Sequence, residues 1–338
     1  MRQAVITGVG GPERMALREG PDPAPRGREV RIQVRASGVN FADILARKGL
    51  YPDVSRFPAV VGYEISGVVD AVGPEADPQW EGHDVVALTH FGGYADMVCV
   101  PQEQVFEKPS RLSHAEAAAI PVTYLAAWQL MVVMGSLSAD ETVLIHNAGG
   151  GVGLAAVDIG RHVGARMIGT ASARKHAFLA ERGLHEAIDY TTRDWPEEVM
   201  RLTGGRGVEL VLDPFGGRHW KQSYRVLRAS GRLGMFSVAG SVSSRLPGKL
   251  KLLGLVARQP LFNPIPLMNR NLGVFGVNLG HLFTEGDKVR GWATAILEGV
   301  DDGWVRPHVD RTFPLADAGA AHAYLEGRHN TGKVVLVP

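Results

Sequence analysis

The stretch Ala148-Gly149-Gly150-Gly151-Val152-Gly153 decides the fold predicted for this chain of 338 residues. A β-branched run, Thr142-Val143-Leu144-Ile145, comes before it, and residues 153–163 carry apolar side chains that can face a sheet from a helix. Glycines at this spacing allow a tight turn from strand to helix and let the backbone approach a pyrophosphate, which the helix N-terminus attracts. Alone such a motif is weak, but between a strand and a helix it predicts a dinucleotide-binding turn.

The turn also predicts which residues touch the cofactor. Alanine takes the first of the three spaced glycine positions, and the other two are glycines. The backbone of this segment and the first turn of the following helix are the parts that approach the phosphates. The predicted cofactor contacts in the turn are Ala148, Gly150, Gly151, Val152 and Gly153.

Strands and helices continue to alternate beyond the turn. Short runs at 167–169, 187–188, 208–212 and 232–238 predict further strands, with helical segments between them. Such βαβ units form a doubly wound parallel sheet. The first 110 residues are instead rich in short strand patterns, and the final strand, 333–337, is expected to complete that part. The predicted fold class is therefore α/β, with a Rossmann sheet and a second, β-rich domain.

Composition and charge exclude several classes of protein. Hydrophobic residues make up 45% of the chain and charged residues 21%, and the formal net charge of +1 gives no reason to expect a nucleic-acid partner. The one cysteine, Cys99, excludes a disulfide framework and a zinc site made of several thiolates. The N-terminal residues lack the apolar run of a secretion signal, so we expect a cytoplasmic protein.

Residues 117–139 contain no charged side chain and are long enough to cross a bilayer. Pro121, Gln129 and Gly135 interrupt this segment, and alanines dilute its apolar character. We therefore expect a helix buried in the protein core rather than a membrane span.

Residues 169–175, on and after the second strand of the unit, indicate which nicotinamide cofactor the turn holds. An NAD site usually has an acidic residue about 20 positions further on, which bonds the ribose 2′-hydroxyl. These residues contain no acid, whereas Ser172 and Lys175 can donate hydrogen bonds to a 2′-phosphate and Tyr190 can add a hydroxyl. NADPH is therefore favoured, with NADH as the alternative. The competing interpretation of Arg174 and Lys175 is a solvated helix start.

Residues 214–284 contain no Asp or Glu but ten Lys or Arg. The bases include Arg218, Lys221, Arg225, Arg228, Arg245, Lys249, Lys251, Arg258 and Arg270. A basic, apolar stretch of this kind can form a flap for an anionic, apolar substrate such as an acyl-coenzyme A thioester. It can also contact anionic lipid, or be a solvated basic face with a dimer loop. These interpretations stay open.

Several motifs resemble the medium-chain dehydrogenase/reductase superfamily, specifically its zinc-free quinone oxidoreductase branch. They are Ser37-Gly38-Val39-Asn40-Phe41-Ala42-Asp43, Gly49-Leu50-Tyr51-Pro52, Pro58-Ala59-Val60-Val61-Gly62-Tyr63-Glu64, residues 146–153 and Gly332-Lys333-Val334-Val335-Leu336-Val337-Pro338. Ile188-Asp189-Tyr190 and Asp213-Pro214-Phe215-Gly216-Gly217 are similar to the vesicle amine transport protein-like group of that branch. The similarity runs essentially from end to end.

The resemblance implies a GroES-like catalytic domain made of residues 1–120 and 279–338 and a Rossmann domain of residues 121–278. It also implies a homodimer joined through the last Rossmann strand, at 271–278, which would otherwise be an exposed edge. Zinc-dependent members place Cys and His ligands at the positions of Asn40 and Tyr63, and neither residue suits zinc. We therefore expect no metal.

The resemblance further assigns residues that meet the substrate or the cofactor. Asn40 would orient the substrate carbonyl or the cofactor amide, while Tyr51 would bond the carbonyl, lie near the proton route or only line the pocket. Asp43 would order the local loop. Thr123 would approach the cofactor, and Arg328 would meet the adenosine phosphate unless it is a surface arginine.

These features predict a zinc-independent, NADPH-dependent reductase that transfers hydride to an activated C=C bond of a quinone, an enone or an α,β-unsaturated acyl thioester. Without a Lewis acid, alcohol oxidation lacks its usual means of stabilising an alkoxide, whereas a polarised double bond needs only hydrogen bonds and a proton. One alternative is an enoyl reductase specific for coenzyme A thioesters. The other is a non-catalytic protein that binds a membrane or a partner, although membrane contact is not favoured.

Overall fold

The computed structural model describes residues 1–240, 254, 257, 259–282 and 285–338. The chain forms two compact units. Unit 1 comprises Met1–Leu125, Gly280–Gly303 and Pro307–Pro338, and unit 2 comprises Ala126–Leu279 and Trp304–Arg306. Both ends of the chain belong to unit 1, because the last strand pairs with a strand from the first 40 residues.

The strands and helices of the described residues are numbered in chain order. The strands are β1 (Arg2–Ile6), β2 (Met15–Glu19), β3 (Glu29–Val39), β4 (Ala59–Val60), β5 (Glu64–Val72), β6 (Asp84–Leu88), β7 (Met97–Pro101), β8 (Val105–Glu107), β9 (Thr142–His146), β10 (Arg166–Ala171), β11 (Glu186–Asp189), β12 (Val208–Asp213), β13 (Leu227–Met235), β14 (Gly273–Gly276), β15 (Val309–Pro314) and β16 (Lys333–Val337). The helices are α1 (Phe41–Arg47), α2 (His114–Ala117), α3 (Pro121–Trp128), α4 (Gly151–Val163), α5 (His176–Arg182), α6 (Trp195–Leu202), α7 (Arg218–Arg225), α8 (Pro264–Arg270), α9 (Gly286–Asp301) and α10 (Ala318–Glu326).

Unit 1 is organised around a sheet with the order β15-β16-β3-β5-β6-β8, in which β7 also pairs with β3. Along β3 the apolar side chains of Val30, Ile32 and Val34 are buried while the residues between them are less so, as the two-residue period of a strand requires. β16 runs antiparallel to β3 and sets Val334 opposite Val39. The C-terminal strand therefore lies beside the residues that lead into α1.

Unit 2 contains a six-stranded sheet with the order β11-β10-β9-β12-β13-β14, and each neighbouring pair is parallel. Parallel sheets covered on both faces have strands that are apolar throughout. Val143, Leu144 and Ile145 of β9 are accordingly all buried. The predicted fold class, a parallel Rossmann sheet with a β-rich second domain, is confirmed.

The segment Trp304–Arg306 differs from the prediction, which placed all of residues 279–338 in the first domain. Trp304 stacks on Trp128 and His162, with ring centroids 6.0 and 4.5 Å apart. The Arg306 N–H donates to the buried carboxylate of Asp158 at 3.0 Å. These contacts hold the segment in unit 2. They join residues far apart in the chain, so the local sequence pattern does not predict them.

Residues 121–125 also depart from the predicted bounds, because they belong to unit 1. The Val122 N–H donates a hydrogen bond of 2.7 Å to Glu64, at the start of β5. A helical run that contains them, His114–Val133, is long and apolar enough to cross a membrane, with a mean hydropathy of 1.3, and no other such helix occurs in the described part of the chain. Within that run 72% of the most apolar window is buried, as expected for a core helix.

Candidate functional site

The glycine turn lies between β9 and α4 of unit 2. A Cβ atom at Gly153 would collide with the carbonyl oxygens of Asn147 and Ala148, and one at Gly150 would lie 2.5 Å from Asn147 Nδ2. α4 begins at Gly151 with Gly150 as its N-cap and without a side-chain hydrogen bond at the cap. The turn thus offers the N-terminal N–H groups of α4 to an anion, because no side chain caps that end of the helix.

Two of the predicted 2′-phosphate contacts lie at the carboxyl ends of neighbouring strands. Ala171 of β10 is paired with Asp189 of β11, so Ser172 and Tyr190 follow at the same edge of the sheet. Tyr190 is 41% exposed. The third, Lys175, is buried, and its Cδ would lie 2.5 Å from a Cβ at Gly149, so its side chain lies directly over the turn. The structure therefore brings Lys175 to the glycine turn.

A buried polar group lies immediately before the turn. His146, the last residue of β9, contacts Thr170 Oγ1 at 3.0 Å through Nδ1 and Ser223 Oγ at 3.2 Å through Nε2. Asp213, the last residue of β12, accepts hydrogen bonds of 2.6 Å from both Ser223 and His219. The group therefore ties together the ends of β9, β10 and β12, where the turn begins.

The same group contains three side chains that can bind metals. Ligand atoms of His146, Asp213 and His219 lie within 4.8 Å of one another, the one such group found among the described residues. Burial lowers the pKa of His146 to about 3, so this imidazole is neutral at physiological pH. Burial acts to raise the pKa of Asp213, but the hydrogen bond from His219 and the nearby imidazoles hold it below its usual value. Hydrogen bonds within the protein satisfy this group.

Asn40 of unit 1 is held by two buried charges. Lys333, the first residue of β16, donates to Asn40 Oδ1 at 2.6 Å. Asn40 Nδ2 donates to Glu64 Oε1 at 2.9 Å, and the same carboxylate oxygen is 2.5 Å from Lys333 Nζ. The Lys333 side chain is 4% exposed and that of Glu64 is fully buried. Asn40 itself remains partly exposed at the N-terminus of α1.

Asp43 lies on α1 and is fully buried. Its carboxylate accepts hydrogen bonds from the Asn40 N–H at 2.8 Å, the Tyr94 hydroxyl at 2.9 Å and the Gly62 N–H at 3.2 Å. Burial raises the pKa of Asp43 to about 6, although these hydrogen bonds favour the ionised form. Asp43 therefore fixes the start of α1, where Asn40 lies, and has no exposed surface of its own.

The remaining predicted residues, Tyr51, Thr123 and Arg328, belong to unit 1. Tyr51 is half-buried in unit 1 and meets the Tyr63 ring edge-on, with centroids 6.1 Å apart. Thr123 is buried, and its hydroxyl donates back to the Ala119 carbonyl at 2.6 Å within the helix. Arg328 follows α10 in unit 1 with a positive φ of 58°. Thr123 and Arg328 thus belong to unit 1, unlike the other predicted cofactor residues.

Sequence reasoning missed Lys333, Glu64 and Asp213 as parts of polar networks, although it quoted all three within motifs. The available signal for Lys333 was its position at the start of an otherwise apolar strand, where a lysine needs a buried partner. Glu64 gives a similar signal at the start of β5. Their pairing was not predictable, because it depends on the register between distant strands.

Comparisons with known proteins agree with this architecture. The family described as "Alcohol dehydrogenase GroES-like domain" matches residues 26–110, and the family described as "Zinc-binding dehydrogenase" matches residues 182–336. A synaptic vesicle membrane protein VAT-1 homolog of Danio rerio is 36% identical, over 99% of this chain and 69% of that protein.

Two solved structures are similar over nearly the whole chain. The quinone oxidoreductase of Escherichia coli, crystallised with NADPH, has a TM-score of 0.87 and 27% identity, and 100% of each chain is covered. The CurK enoyl reductase has a TM-score of 0.84 and 27% identity, and 99% of each chain is covered.

The name of the second family raises the question of a catalytic zinc at Asn40 and Tyr63. The Asn40 oxygen and the Glu64 carboxylate are already bound to the Lys333 ammonium, and a metal cation at the same oxygens would be repelled by it. Burial raises the pKa of Tyr63 far above its usual value, so its phenol is a poor metal ligand. The residues at these positions do not fit a zinc ion. On its sequence and fold, the chain belongs to the medium-chain dehydrogenase/reductase superfamily, in the group that contains the VAT-1 homologs and the quinone oxidoreductases.

Proposed function

We propose that this protein is a zinc-independent, NADPH-dependent reductase of activated C=C bonds in quinones, enones or α,β-unsaturated acyl thioesters. The observation that carries the proposal is the Asn40 amide, which is held by the Lys333 ammonium. The family resemblance implies that zinc-dependent members have a metal ligand at this position. A hydrogen-bond donor without a Lewis acid suits an enolate or phenolate that forms next to a carbonyl. The E. coli quinone oxidoreductase and the CurK enoyl reductase support this reaction class.

The residues of unit 2 fit the phosphates of NADPH. The N-terminus of α4 and the glycine turn would hold the pyrophosphate, since no side chain caps that helix. Lys175, Ser172 and Tyr190 would hold the 2′-phosphate. When bound, NADPH supplies a hydride from its nicotinamide C4.

The residues of unit 1 would act on the acceptor. Asn40 Nδ2–H donates to the carbonyl oxygen and stabilises the negative charge that develops there as the β-carbon is reduced. Asp43 holds the backbone of Asn40 through its 2.8 Å hydrogen bond. The α-carbon then takes a proton from water or along a route that includes the Tyr51 hydroxyl.

The proposal is tested by mixing purified protein with NADPH or NADH and a panel of quinones, enones and enoyl-coenzyme A thioesters, and following the loss of nicotinamide absorbance. We expect turnover with at least one class of acceptor and a preference for NADPH. Asn40→Ala is expected to lose at least about 10-fold in kcat, because an electrostatic donor is removed. Tight NADPH binding without turnover of any acceptor would contradict the proposal.

A narrower candidate is an enoyl reductase specific for coenzyme A thioesters. It is favoured by the fold similarity to an enoyl reductase and by the acid-free stretch 214–284. Within that stretch Arg228 and Arg232 are paired with Glu209 and Glu141 from outside it, which reduces its excess positive charge. Arg245, Lys249, Lys251 and Arg258 lie outside the described residues. Unchanged kinetics after removal of the coenzyme A moiety would exclude this candidate.

A different class of function, membrane or partner binding without catalysis, is favoured by an exposed apolar patch. Leu261 is 99% exposed, and Ile265 and Met268 of α8 are 60% and 67% exposed. Apolar side chains exposed together often mark an interaction surface. Sedimentation with anionic vesicles tests membrane binding: Ile265→Ser with Met268→Ser should abolish it, and wild-type protein that stays in the supernatant excludes it.

We also propose that the protein is a homodimer joined through β14. This strand ends the six-stranded sheet, and its outer edge has no neighbouring strand among the described residues. An uncovered edge of this kind readily pairs with the same strand of a second copy. Val274→Lys should shift the sedimentation coefficient from that of a dimer to that of a monomer. A monomeric wild-type protein would contradict the proposal.

A further inference from the structure

Lys333 is a buried cation that contacts Asn40, the residue proposed to bind the acceptor carbonyl. Its ammonium lies 2.5 Å from Glu64 Oε1 and 2.6 Å from Asn40 Oδ1. Burial of a lysine is costly unless its charge is paired and its donors are bonded, and both conditions are met here. The carboxylate of Glu64 pairs the charge, and the Asn40 amide oxygen accepts a further N–H of the ammonium. The hydrogen bond from Lys333 to Asn40 therefore links a buried charge pair to a partly exposed amide.

The two charges give the Asn40 amide one orientation. The ammonium requires the amide oxygen, and the carboxylate requires the amide nitrogen, 2.9 Å away. A rotation of the amide by half a turn would place Nδ2–H against the ammonium and the oxygen against the carboxylate, which Coulomb repulsion forbids. The second Nδ2 hydrogen has only a long contact of 3.4 Å with the Gly38 carbonyl. It remains available to a better acceptor.

The fold builds this arrangement from three distant segments. β16 sets Val334 opposite Val39, so the preceding residue, Lys333, reaches Asn40. Glu64 begins β5, and its second oxygen accepts the Val122 N–H at 2.7 Å, which fixes the carboxylate. A Cβ atom at Gly38 would lie 2.5 Å from Glu64 Oε1, so only glycine leaves room for it. The amide is thus supported on every side except the exposed one.

We propose that Lys333 and Glu64 are positioning residues of the reductase, which hold the Asn40 amide so that one Nδ2–H points to the acceptor oxygen. This inference rests on the proposed function. The ammonium also polarises the amide, because a charge-assisted bond to its oxygen strengthens Nδ2–H as a donor. In this chain a protein cation behind an amide takes the place of a metal ion, and pre-orientation of the donor lowers the barrier.

A double-mutant cycle on kcat tests the proposal. The variant Lys333→Met with Glu64→Gln removes both charges together, so that neither is left buried alone, and it is compared in the presence and absence of Asn40→Ala. With Asn40 present we expect kcat to fall about 10- to 100-fold at an unchanged NADPH affinity. With Asn40→Ala the same change should lower kcat less than about 2-fold, because no amide remains to be positioned. Equal effects in both backgrounds would overturn the proposal.

The matched control is Arg31→Met with Asp70→Asn. This pair joins β3 and β5 of the same sheet through hydrogen bonds of 2.9 and 3.1 Å. Among the described residues, the hydrogen-bond partners of Asn40 are Gly38, Asp43, Glu64 and Lys333, and neither Arg31 nor Asp70 is one of them. The Arg31 and Asp70 side chains are partly buried, 23% and 28% exposed. We expect an unchanged kcat, which separates the loss of an ion pair within this sheet from the loss of the pair beside Asn40.

NMR spectra of protein labelled with [15N]asparagine test whether Lys333 and Glu64 hold the Asn40 amide, even if no acceptor is reduced. The chain has seven asparagines, and Asn40→Ala identifies one side-chain amide signal. Lys333→Met with Glu64→Gln should shift that signal and leave the other six in place, while the Arg31 and Asp70 control should not. An Asn40 signal that does not move would overturn the inference. Absence of turnover with the expected spectral change would instead count against the proposed function alone.

Discussion

The glycine turn of unit 2 and the Asn40 network of unit 1 are built in opposite ways. The turn is made of backbone from one continuous stretch, and its capacity to bind an anion depends on the absence of side chains at Gly150 and Gly153. The network is made of two charged side chains and one amide from three distant stretches, and it depends on Lys333 and Glu64 being buried together. A contiguous backbone site and a dispersed side-chain site should therefore respond differently to mutation and to pH.

The largest effect is expected where a side chain is forced into the backbone site. Gly153→Val should lower NADPH affinity at least about 100-fold, because its Cβ would collide with two carbonyl oxygens and displace the turn from the phosphates. Fluorescence titration with NADPH measures the loss. The matched control is Gly291→Ala on α9, where an added Cβ meets nothing within 4 Å and affinity should stay the same. An unchanged affinity in Gly153→Val would refute the assignment of the turn.

A moderate effect is expected where a side chain supplements the backbone site. Lys175→Met should raise the KM for NADPH about 10-fold and leave the KM for NADH nearly unchanged, because only NADPH carries a 2′-phosphate for the ammonium. Arg201→Met on α6, which removes an exposed base from the same unit, serves as the control. Equal changes for both cofactors would show that Lys175 only supports the turn.

The two regions should also differ in the pH dependence of their stability. Burial raises the pKa of Asp43 to about 6, so its contribution is full below the unfolded pKa near 4 and is lost as pH rises through about 6. The loss is at most about 3 kcal/mol. Asp43→Asn should remove this part of the decline. Urea unfolding between pH 4 and 7 measures it, and an identical slope in wild type and variant would contradict the assigned pKa.

His146 should change the free energy of unfolding in the opposite direction with pH, because its pKa is lowered rather than raised. Burial lowers its pKa to about 3, so its contribution is full above the unfolded pKa near 6.5 and is lost as pH falls towards about 3. His146→Gln keeps a polar side chain that does not titrate in this range. The acid-side loss of unfolding free energy should therefore be smaller in the variant than in wild type, and an equal loss would show that other groups dominate.

The smallest effect, no change in kcat, is expected from the removal of metal ions. Because the Lys333 ammonium occupies the oxygens of Asn40 and Glu64, dialysis against a chelator should leave kcat unchanged. Metal analysis of the dialysed protein provides the control. A loss of activity that zinc restores would contradict the account of the Asn40 network and would direct attention to His146, Asp213 and His219.

The backbone site was predictable from sequence and the side-chain site only in part. The glycine spacing, the strand before it and the helix after it are local, so the turn followed from residues 142–163. The parallel sheet followed from the further strand runs between residues 167 and 238. Asn40 and Asp43 came from the family resemblance. Their partners Lys333 and Tyr94 are 293 and 51 residues away in their hydrogen-bonded pairs, and only the strand register and the burial of each charge bring them together. The same reason explains why Trp304–Arg306 packs in unit 2, outside the bounds predicted for the Rossmann domain.

The central claim, hydride transfer to a carbon–carbon double bond without metal, is tested most directly by isotope transfer. Chelator-treated protein is incubated with NADPH that carries deuterium at the reactive position of C4 and with an acceptor on which the panel shows turnover, preferably an enone. We expect a product with a reduced double bond and one deuterium on the β-carbon, located by NMR and mass spectrometry. Deuterium on the carbonyl carbon, or transfer only after zinc is restored, would contradict it.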